Sequence, residues 1–360
     1  MPKLDDAGTG RTTSPRADVN AARTLAFELE RDDVRAYLRE RNVVPKDADI
    51  AMESLSNGVS NVVLRASWSG GCVVLKQSLS RLRVAAEWNF DRARIFNERD
   101  CLQVLNELRP GTAPKVLLSD EENFLFGMSC APPEGYVWKE AKLRGDTDPT
   151  TARRAGRIIG ELQRAAAHRG DLARRFAALW PLEQGRVEPY HRTVARAHPD
   201  LAPRIEAEVQ RMMATRETLV HGDFSPKNVI VYPNGLLVLD CEVAHWGDPA
   251  FDPAFLLTHL VLAGVHRPDL AATFAQHAAG FWKAYVSEAR EFAAPERNVI
   301  AELGCLLLAR VDGKSPVEYL TEARQHEHVR RLARRLITDA PEDLASVLTF
   351  ATTESERWLA

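Results

Sequence analysis

The segment His221-Gly222-Asp223-Phe224-Ser225-Pro226-Lys227-Asn228 constrains this chain more than any other stretch. It runs into Val229-Ile230-Val231-Tyr232, a Pro233-Asn234-Gly235 turn, and Leu236-Leu237-Val238-Leu239, with Asp240-Cys241-Glu242 directly after. Two apolar runs around an Asn-Gly turn predict a β-hairpin. Its strands are antiparallel, so the end of the second lies beside the start of the first. Asp240 is therefore brought near Asn228, and Asp223 sits on the loop entering the hairpin. Three oxygen-bearing side chains converge at one end of a small sheet.

That convergence suits phosphoryl transfer. Mg²⁺ takes hard oxygen ligands and shares its shell with waters and phosphate oxygens. Asn228 and Asp240 are the candidate ligands, and Asp223 is the candidate base for an attacking hydroxyl. The Asp-to-Asn step of five residues equals that of the protein-kinase catalytic loop. Each piece alone has an ordinary structural reading, since His-Gly-Asp is common in loops and Gly247-Asp248-Pro249 is a plain turn. Order and spacing join them. Val73-Val74-Leu75-Lys76 is a strand ending in a lysine, the candidate phosphate ligand, and Glu98 in the following helical stretch is its candidate partner. The loop Ser56–Asn61, with Ser60 and Asn61, is placed to close over the phosphates, although its single glycine matches no phosphate-loop motif.

The rest of the chain supplies a frame of matching size. Its 360 residues suit two domains or one bilobal enzyme. A formal net charge of −3 argues against a dedicated nucleic-acid binder, which needs a basic excess. Arg330-Arg331 and Arg334-Arg335, with acids nearby, read as a solvated face. No apolar run approaches the ~20 residues of a membrane span. The five cysteines are odd in number, far apart and without C-x-x-C, which predicts buried free thiols in a reducing cytoplasm. Residues 1–20, rich in Gly, Thr, Ser, Pro and charge, read as a disordered tail rather than a signal peptide.

Along the chain, Leu25–Arg41 predicts an amphipathic helix, and Val62–Trp68 with Cys72–Gln77 a hairpin across Ser69-Gly70-Gly71. Glu87–Leu108 reads as helix, and Val116–Leu118 and Phe124–Met128 as strands. Pro132-Pro133-Glu134-Gly135 marks a boundary. Beyond it, Thr151–Ala167, Glu206–Arg216 and Pro253 onward are helical in pattern, interrupted by Leu219–Leu239. The expected fold class is α+β: a bilobal, protein-kinase-like fold with a β-rich N-lobe over 21–131 and a mostly helical C-lobe over 132–360.

The run from His221 through Asn228, then Asp240-x-Glu242, then Gly247-Asp248-Pro249-Ala250-Phe251-Asp252, resembles the aminoglycoside phosphotransferase and choline kinase superfamily of small-molecule kinases. The likeness runs from about Leu55 to Leu320. It implies ATP between two lobes, Asp223 as base, Asn228 and Asp240 as metal ligands, and Lys76 on the phosphates. Met128-Ser129-Cys130-Ala131 would be the hinge that binds adenine through its backbone, with Met128 and Cys130 among its residues. His221 and Asp252 would brace the loop. A homodimer is implied by the resemblance only.

Leu75–Val84 followed by Trp88 is similar to the methylthioribose kinases, which implies a pentose-like acceptor and an acceptor role for Arg83. That family carries paired arginines on a late helix, where Leu307-Leu308-Ala309-Arg310 has one. Glu242, Trp246, Arg310 and Asp312 complete the acceptor candidates, with Arg310 or Asp312 expected to face the acceptor. Residues 261–360 hold twelve lysines and arginines against fourteen carboxylates, so no strongly acidic pocket for a polycationic aminoglycoside is evident. Trp246, Trp282 and Tyr285 could contribute to an aromatic cage for a choline-like ammonium, but helical core packing is the role preferred for them. The alternatives to a pentose kinase are thus an antibiotic phosphotransferase, a choline or amino-alcohol kinase, and a nucleotide-binding pseudokinase, which typically lacks the lysine, the base or the metal carboxylate retained here.

Overall fold

A computed structural model describes residues 29, 31–56, 61–79, 88–339, 341 and 343–356. The expected tail over 1–20, Ser60 and Arg83 lie outside them. Helix α1 (Arg31–Glu40) precedes three antiparallel strands, β1 (Ala51–Ser56), β2 (Asn61–Trp68) and β3 (Gly71–Ser78). Then come α2 (Arg94–Leu108), β4 (Val116–Asp120) and β5 (Leu125–Ser129), giving one five-stranded sheet in the order β1-β2-β3-β5-β4. The β2–β3 hairpin turns at Ser69-Gly70, with Gly70 at φ +96°. Alternation along β3 sorts its side chains. Leu64, Val73, Leu75 and Leu125 pack under α1, whereas Val74, Phe126 and Met128 join the core that contains Ile95 and Leu102 of α2. Lys76 shares a face with Val74 and is directed to the cleft side.

Two of the expected free thiols are joined: Cys72 and Cys130 form a disulfide with their Cα atoms 6.1 Å apart. Register explains it. Val73 pairs with Ser129, so antiparallel strands place Cys72 opposite Cys130. A separation of 58 residues along the chain hides this neighbourhood. Cys101, Cys241 and Cys305 are buried free thiols.

The turn Pro132–Gly135, closed by Gly135 N–H to Pro132 O, leads into β6 (Tyr136–Val137) and α3 (Trp138–Arg144). Next are α4 (Thr150–Ala166), α5 (Gly170–Arg175), α6 (Trp180–Leu182), a π-helical stretch over Glu183–Arg192, α7 (Thr193–Ala197) and α8 (Ala202–Ala214). Strands β7 (Thr218–Val220), β8 (Val229–Tyr232), β9 (Gly235–Val238) and β10 (His245–Gly247) follow. The β8–β9 hairpin is as expected, and β6 adds to β8 as a third strand. β10 pairs with β7. The remainder is helical: α9 (Phe251–His266), α10 (Ala271–Ala289), α11 (Glu296–Asp312), α12 (Ala323–Asp339) and α13 (Leu344–Glu356). The chain is a mixed α/β structure with an antiparallel N-lobe sheet and a helical C-lobe.

Helix α9 is apolar on nearly every side and is the axle of the C-lobe, packed by α10, α11, α12 and α13. The α4–α10 crossing depends on glycine. A Cβ at Gly156 would stand 2.3 Å from the Phe281 carbonyl oxygen, and one at Gly160 2.7 Å from that of Tyr285. These contacts are with backbone, so the helices must separate to admit a methyl. Gly156→Ala is expected to lose about 1–3 kcal/mol, because overpacking outweighs the better helix propensity of alanine. Urea unfolding checks this as a lower midpoint at unchanged slope. A midpoint at or above the parent value would show that the crossing has room.

Candidate active site

Strand β7 delivers the chain into His221-Gly222-Asp223 at the base of the cleft. Gly222 has φ +80°, and a Cβ there would lie 2.8 Å from the Val243 carbonyl oxygen, so glycine is required. The first turn of α9 fixes the loop. Asp252 Oδ2 accepts the His221 N–H at 2.8 Å, and its Oδ1 accepts the Gly222 N–H at 2.9 Å. Burial pushes the Asp252 carboxyl up to about 7, against those two donors. His221 Nδ1 accepts the Asp223 N–H at 3.1 Å. These three hydrogen bonds tie His221, Gly222 and Asp223 to one another and to Asp252.

Burial lowers the His221 pKa from 6.5 to about 4, so a neutral ring fills this acceptor position. Between those values the unfolded chain binds a proton that the folded chain does not. Stability from this site is therefore complete above about pH 6.5 and lost as the pH falls toward 4. The difference is on the order of 3 kcal/mol, and His245, also lowered to about 4 by burial, acts in the same sense. His221→Asn keeps a side-chain acceptor but cannot titrate here. Its unfolding free energy is expected to fall less than the parent's between pH 7 and pH 5, and equal falls would contradict the assignment.

Asp223 is buried and asymmetrically bound. Its Oδ2 meets Arg186 Nη2 at 3.1 Å and Lys227 Nζ at 2.9 Å. Its Oδ1 is buried without a hydrogen-bond partner. Arg186 comes from the π-helical stretch and also donates from Nε to the Gly222 carbonyl at 2.8 Å. Burial disfavours the charge of Arg186, but Asp223, with Tyr190, Glu242 and Asp240, together outweigh it and hold the guanidinium above its ordinary range. The sequence reading missed both cations. Lys227 had a signal, lying four residues after Asp223 inside the motif. Arg186 had none, since 36 residues separate it from Gly222.

The other end of the cleft is acidic. Asn228 Nδ2 donates to the Asp223 carbonyl at 2.9 Å, so its amide nitrogen is turned to the loop. The Leu239 N–H bonds the Asn228 carbonyl, which places Asp240 next to Asn228 across the hairpin. Asp240 has φ +63°, a left-handed conformation that Asp tolerates better than most residues. Lys76 Nζ lies 2.6 Å from Glu98 Oε2 and 2.6 Å from Asp240 Oδ1, so the expected Lys76–Glu98 pair forms and includes the metal candidate. Burial penalises the Lys76 charge, yet Asp240 and Glu98 hold the ammonium above the usual lysine range. Burial likewise opposes ionisation of Asp240, but Lys76 and Lys227 keep it well below the usual carboxylate range.

Glu242, expected at the acceptor, lies instead beside Glu98 and Asp240. Its Oε2 accepts from Asn61 Nδ2 at 3.0 Å and is 3.3 Å from Arg94 Nε. Glu98, Asp240 and Glu242 present oxygens within 4.8 Å of one another. This oxygen-only donor set, with Asn228 adjacent, fits a hard divalent cation such as Mg²⁺.

Two more acceptor candidates are spent elsewhere. Trp246 is buried on β10, and its indole N–H donates to the Arg216 carbonyl at 3.0 Å, so its ring is core rather than cage. Asp312 accepts from Arg330 Nε and Nη2, at 2.9 and 2.7 Å, and contacts His198 Nε2 at 2.8 Å, which ties α11 to α12. Their surroundings are set by packing that no local motif announces. Arg310 points inward to Tyr190, at 2.9 Å from its hydroxyl. Met128 is buried on β5 next to the disulfide of Cys130.

The family model described as APH, phosphotransferase enzyme family, matches residues 51–292. Methylthioribose kinase 2 of Oryza sativa subsp. japonica is 23% identical over 242 residues, 59% of this chain and 57% of that protein. The chain therefore spans little more than half the length of that relative. Methylthioribose kinase of Bacillus cereus (strain G9842) is 20% identical over 341 residues, covering 81% of this chain and 86% of the relative. Among solved structures, amicoumacin kinase hAmiN in complex with AMP-PNP, Ca²⁺ and Ami is 14% identical with a TM-score of 0.53, over 89% of this chain and 99% of that one. This last likeness is one of fold. With its loop, hairpin and lysine strand inside the matched residues, the chain belongs to the APH phosphotransferase enzyme family.

Proposed function

We propose that the protein is an ATP- and Mg²⁺-dependent kinase that transfers the γ-phosphate to a hydroxyl of a small molecule. The carrying observation is Lys76 bridging Glu98 and Asp240 at 2.6 Å each, with the buried Asp223 Oδ1 left without a hydrogen-bond partner. Bound Mg²⁺ would neutralise charge on the phosphate oxygens. Lys76 binds phosphate oxygens, held in place by Glu98 as its contact with Asp240 loosens. Asp223 Oδ1 accepts the hydrogen bond of the acceptor hydroxyl and then its proton. The acceptor oxygen forms a bond to the γ-phosphorus, the bond to the β,γ-bridging oxygen breaks, and ADP leaves with that electron pair. Arg186 and Lys227 fix the Asp223 carboxylate so that Oδ1 faces the hydroxyl. Such positioning with charge stabilisation accounts for most of the catalysis in phosphoryl transfer.

The leading acceptor is a pentose-like polyol, supported by the methylthioribose kinases among the relatives. An aminoglycoside or choline acceptor is disfavoured by Arg186 and Lys227 at the base and by the burial of Trp246. A pseudokinase is disfavoured because lysine, base and metal carboxylate are all in place. ADP release measured with Mg·ATP against pentoses, choline, ethanolamine, homoserine and aminoglycosides tests the reading. Turnover on one class is expected. Failure of Mg·AMP-PNP to raise the melting temperature would contradict it.

A further inference from the structure

The candidate active site holds four carboxylates, Glu98, Asp223, Asp240 and Glu242, and four cations, Lys76, Arg94, Arg186 and Lys227, so its charges balance. The cations differ in how many of their donors are spent. Lys76 is buried between Glu98 and Asp240. Arg94 is fully buried and donates to the carbonyls of Phe90 at 2.7 Å and Asp91 at 3.1 Å, besides facing Glu242. Arg186 uses all three nitrogens: Nε on the Gly222 carbonyl, Nη1 on the Gly185 carbonyl and Nη2 on Asp223. Lys227 is the exception. An ammonium has three donors, and Asp223 Oδ2 is the one partner of Lys227 among the described residues. Its side chain is also 44% exposed.

Asp223 has a second anchor on the same oxygen. Arg186 binds Oδ2 and ties it to the loop through the Gly222 carbonyl. The backbone of Lys227 is nonetheless fixed. It is the middle residue of a 3₁₀ turn over Pro226–Asn228, closed by Asn228 N–H to the Ser225 carbonyl at 2.9 Å. That turn joins the base Asp223 to the ligand candidate Asn228, and the Lys227 charge acts on both Asp223 and Asp240. On the kinase reading, in-line transfer puts the phosphorus between the acceptor oxygen, taken by Asp223, and the metal-bound phosphates beside Asp240. Lys227 pairs with the first carboxylate and acts on the second, with two donors left to give.

We infer that Lys227 is a further catalytic residue, which binds the γ-phosphoryl group of ATP during transfer while Arg186 keeps Asp223 in place. This rests on the kinase reading above. The ammonium keeps its proton and donates hydrogen bonds to the equatorial phosphoryl oxygens, on which the charge of the transition state is spread. The acceptor oxygen bonds to the γ-phosphorus, the β,γ-bridging oxygen leaves with its electron pair, and the hydroxyl proton goes to Asp223 Oδ1. A compact charge on a flexible stem can follow the phosphoryl group across this path, as a guanidinium with every nitrogen engaged cannot.

Calorimetric titration of the full chain with Mg·AMP-PNP and with Mg·ADP, which lacks the γ-phosphate, tests this without an acceptor. In Lys227→Met the ratio of the two affinities is expected to fall by about tenfold, the worth of one hydrogen bond to a charged group, with Mg·ADP binding nearly unchanged. Lys227→Arg should recover part of the ratio. Repeating Lys227→Met in an Asp223→Asn background separates contact from screening. Direct binding predicts the same fall there. A fall seen only when Asp223 is present means that Lys227 merely offsets the Asp223 charge, and overturns the inference. An unchanged ratio in Lys227→Met also overturns it and leaves the kinase reading intact. Failure of the parent to bind either nucleotide overturns both. On an acceptor that is turned over, kcat of Lys227→Met is expected to fall by about tenfold or more, with the acceptor KM changed much less, and a parent-like kcat contradicts the assignment.

Discussion

Asp223→Asn is expected to lower phosphate transfer by about 10²–10⁴-fold, the usual contribution of a positioned base, while Mg·ATP still binds. The substitution keeps an oxygen acceptor but removes the charge that receives the proton. It also removes the shared counter-charge of Arg186 and Lys227, at 3.1 and 2.9 Å. Leaving buried cations uncompensated costs about 3–5 kcal/mol, so the variant should melt below the parent. Nucleotide protection separates the two effects. A folded variant stabilised by Mg·AMP-PNP as the parent is, yet inactive, places the loss in chemistry. Parent-like turnover would show that the proton goes elsewhere.

Asp240→Asn should be comparably severe, with a different signature. Asn tolerates the left-handed backbone at this position, φ +63°, so the change isolates the charge. The variant loses a metal ligand charge and one of the two carboxylates on Lys76. A loss of about 10²–10³-fold in turnover is expected, typical of removing one electrostatic contact to a transition state, with a higher Mg²⁺ concentration for half-maximal rate. Asp223→Asn should leave that concentration unchanged. If the two variants respond to Mg²⁺ alike, the division between base and metal ligand is wrong.

Both predictions concern residues legible in the sequence, and the reason is local. The Asp223-to-Asn228 step and the hairpin that returns Asp240 lie within one short stretch, so strand pairing fixes their meeting. Lys76 and Glu98 were legible for a similar reason, being one strand and the next helix. Legibility fails where the partner arrives by tertiary packing. Arg186 reaches Asp223 from a π-helical stretch with no motif of its own. Cys72 meets Cys130 only through the β3–β5 register. Asp312 looked available because its segment is dense in polar groups, whereas Arg330 occupies it; Trp246, offered for an aromatic cage with core packing preferred, donates to the Arg216 carbonyl. The strands β1, β6 and β10 were also missed. Two are very short, and β1 holds Glu53 and Ser54 in place of a clear apolar alternation.

The cluster of Tyr190, Phe255, His259 and Arg310 was less legible for the same physical reason. Phe255 and His259 stand one turn apart on α9, but Tyr190 reaches them from the π-helical stretch and Arg310 reaches Tyr190 from α11, so the cluster exists only after folding.

Phosphorus NMR of the protein with Mg·ATP and the acceptor mixture tests the central claim most directly. Loss of the β- and γ-phosphate signals of ATP should be matched, mole for mole, by ADP and a new phosphate monoester, and Asp223→Asn should show neither. Release of inorganic phosphate in place of the monoester, or an unchanged ATP spectrum at full nucleotide occupancy, would contradict the account.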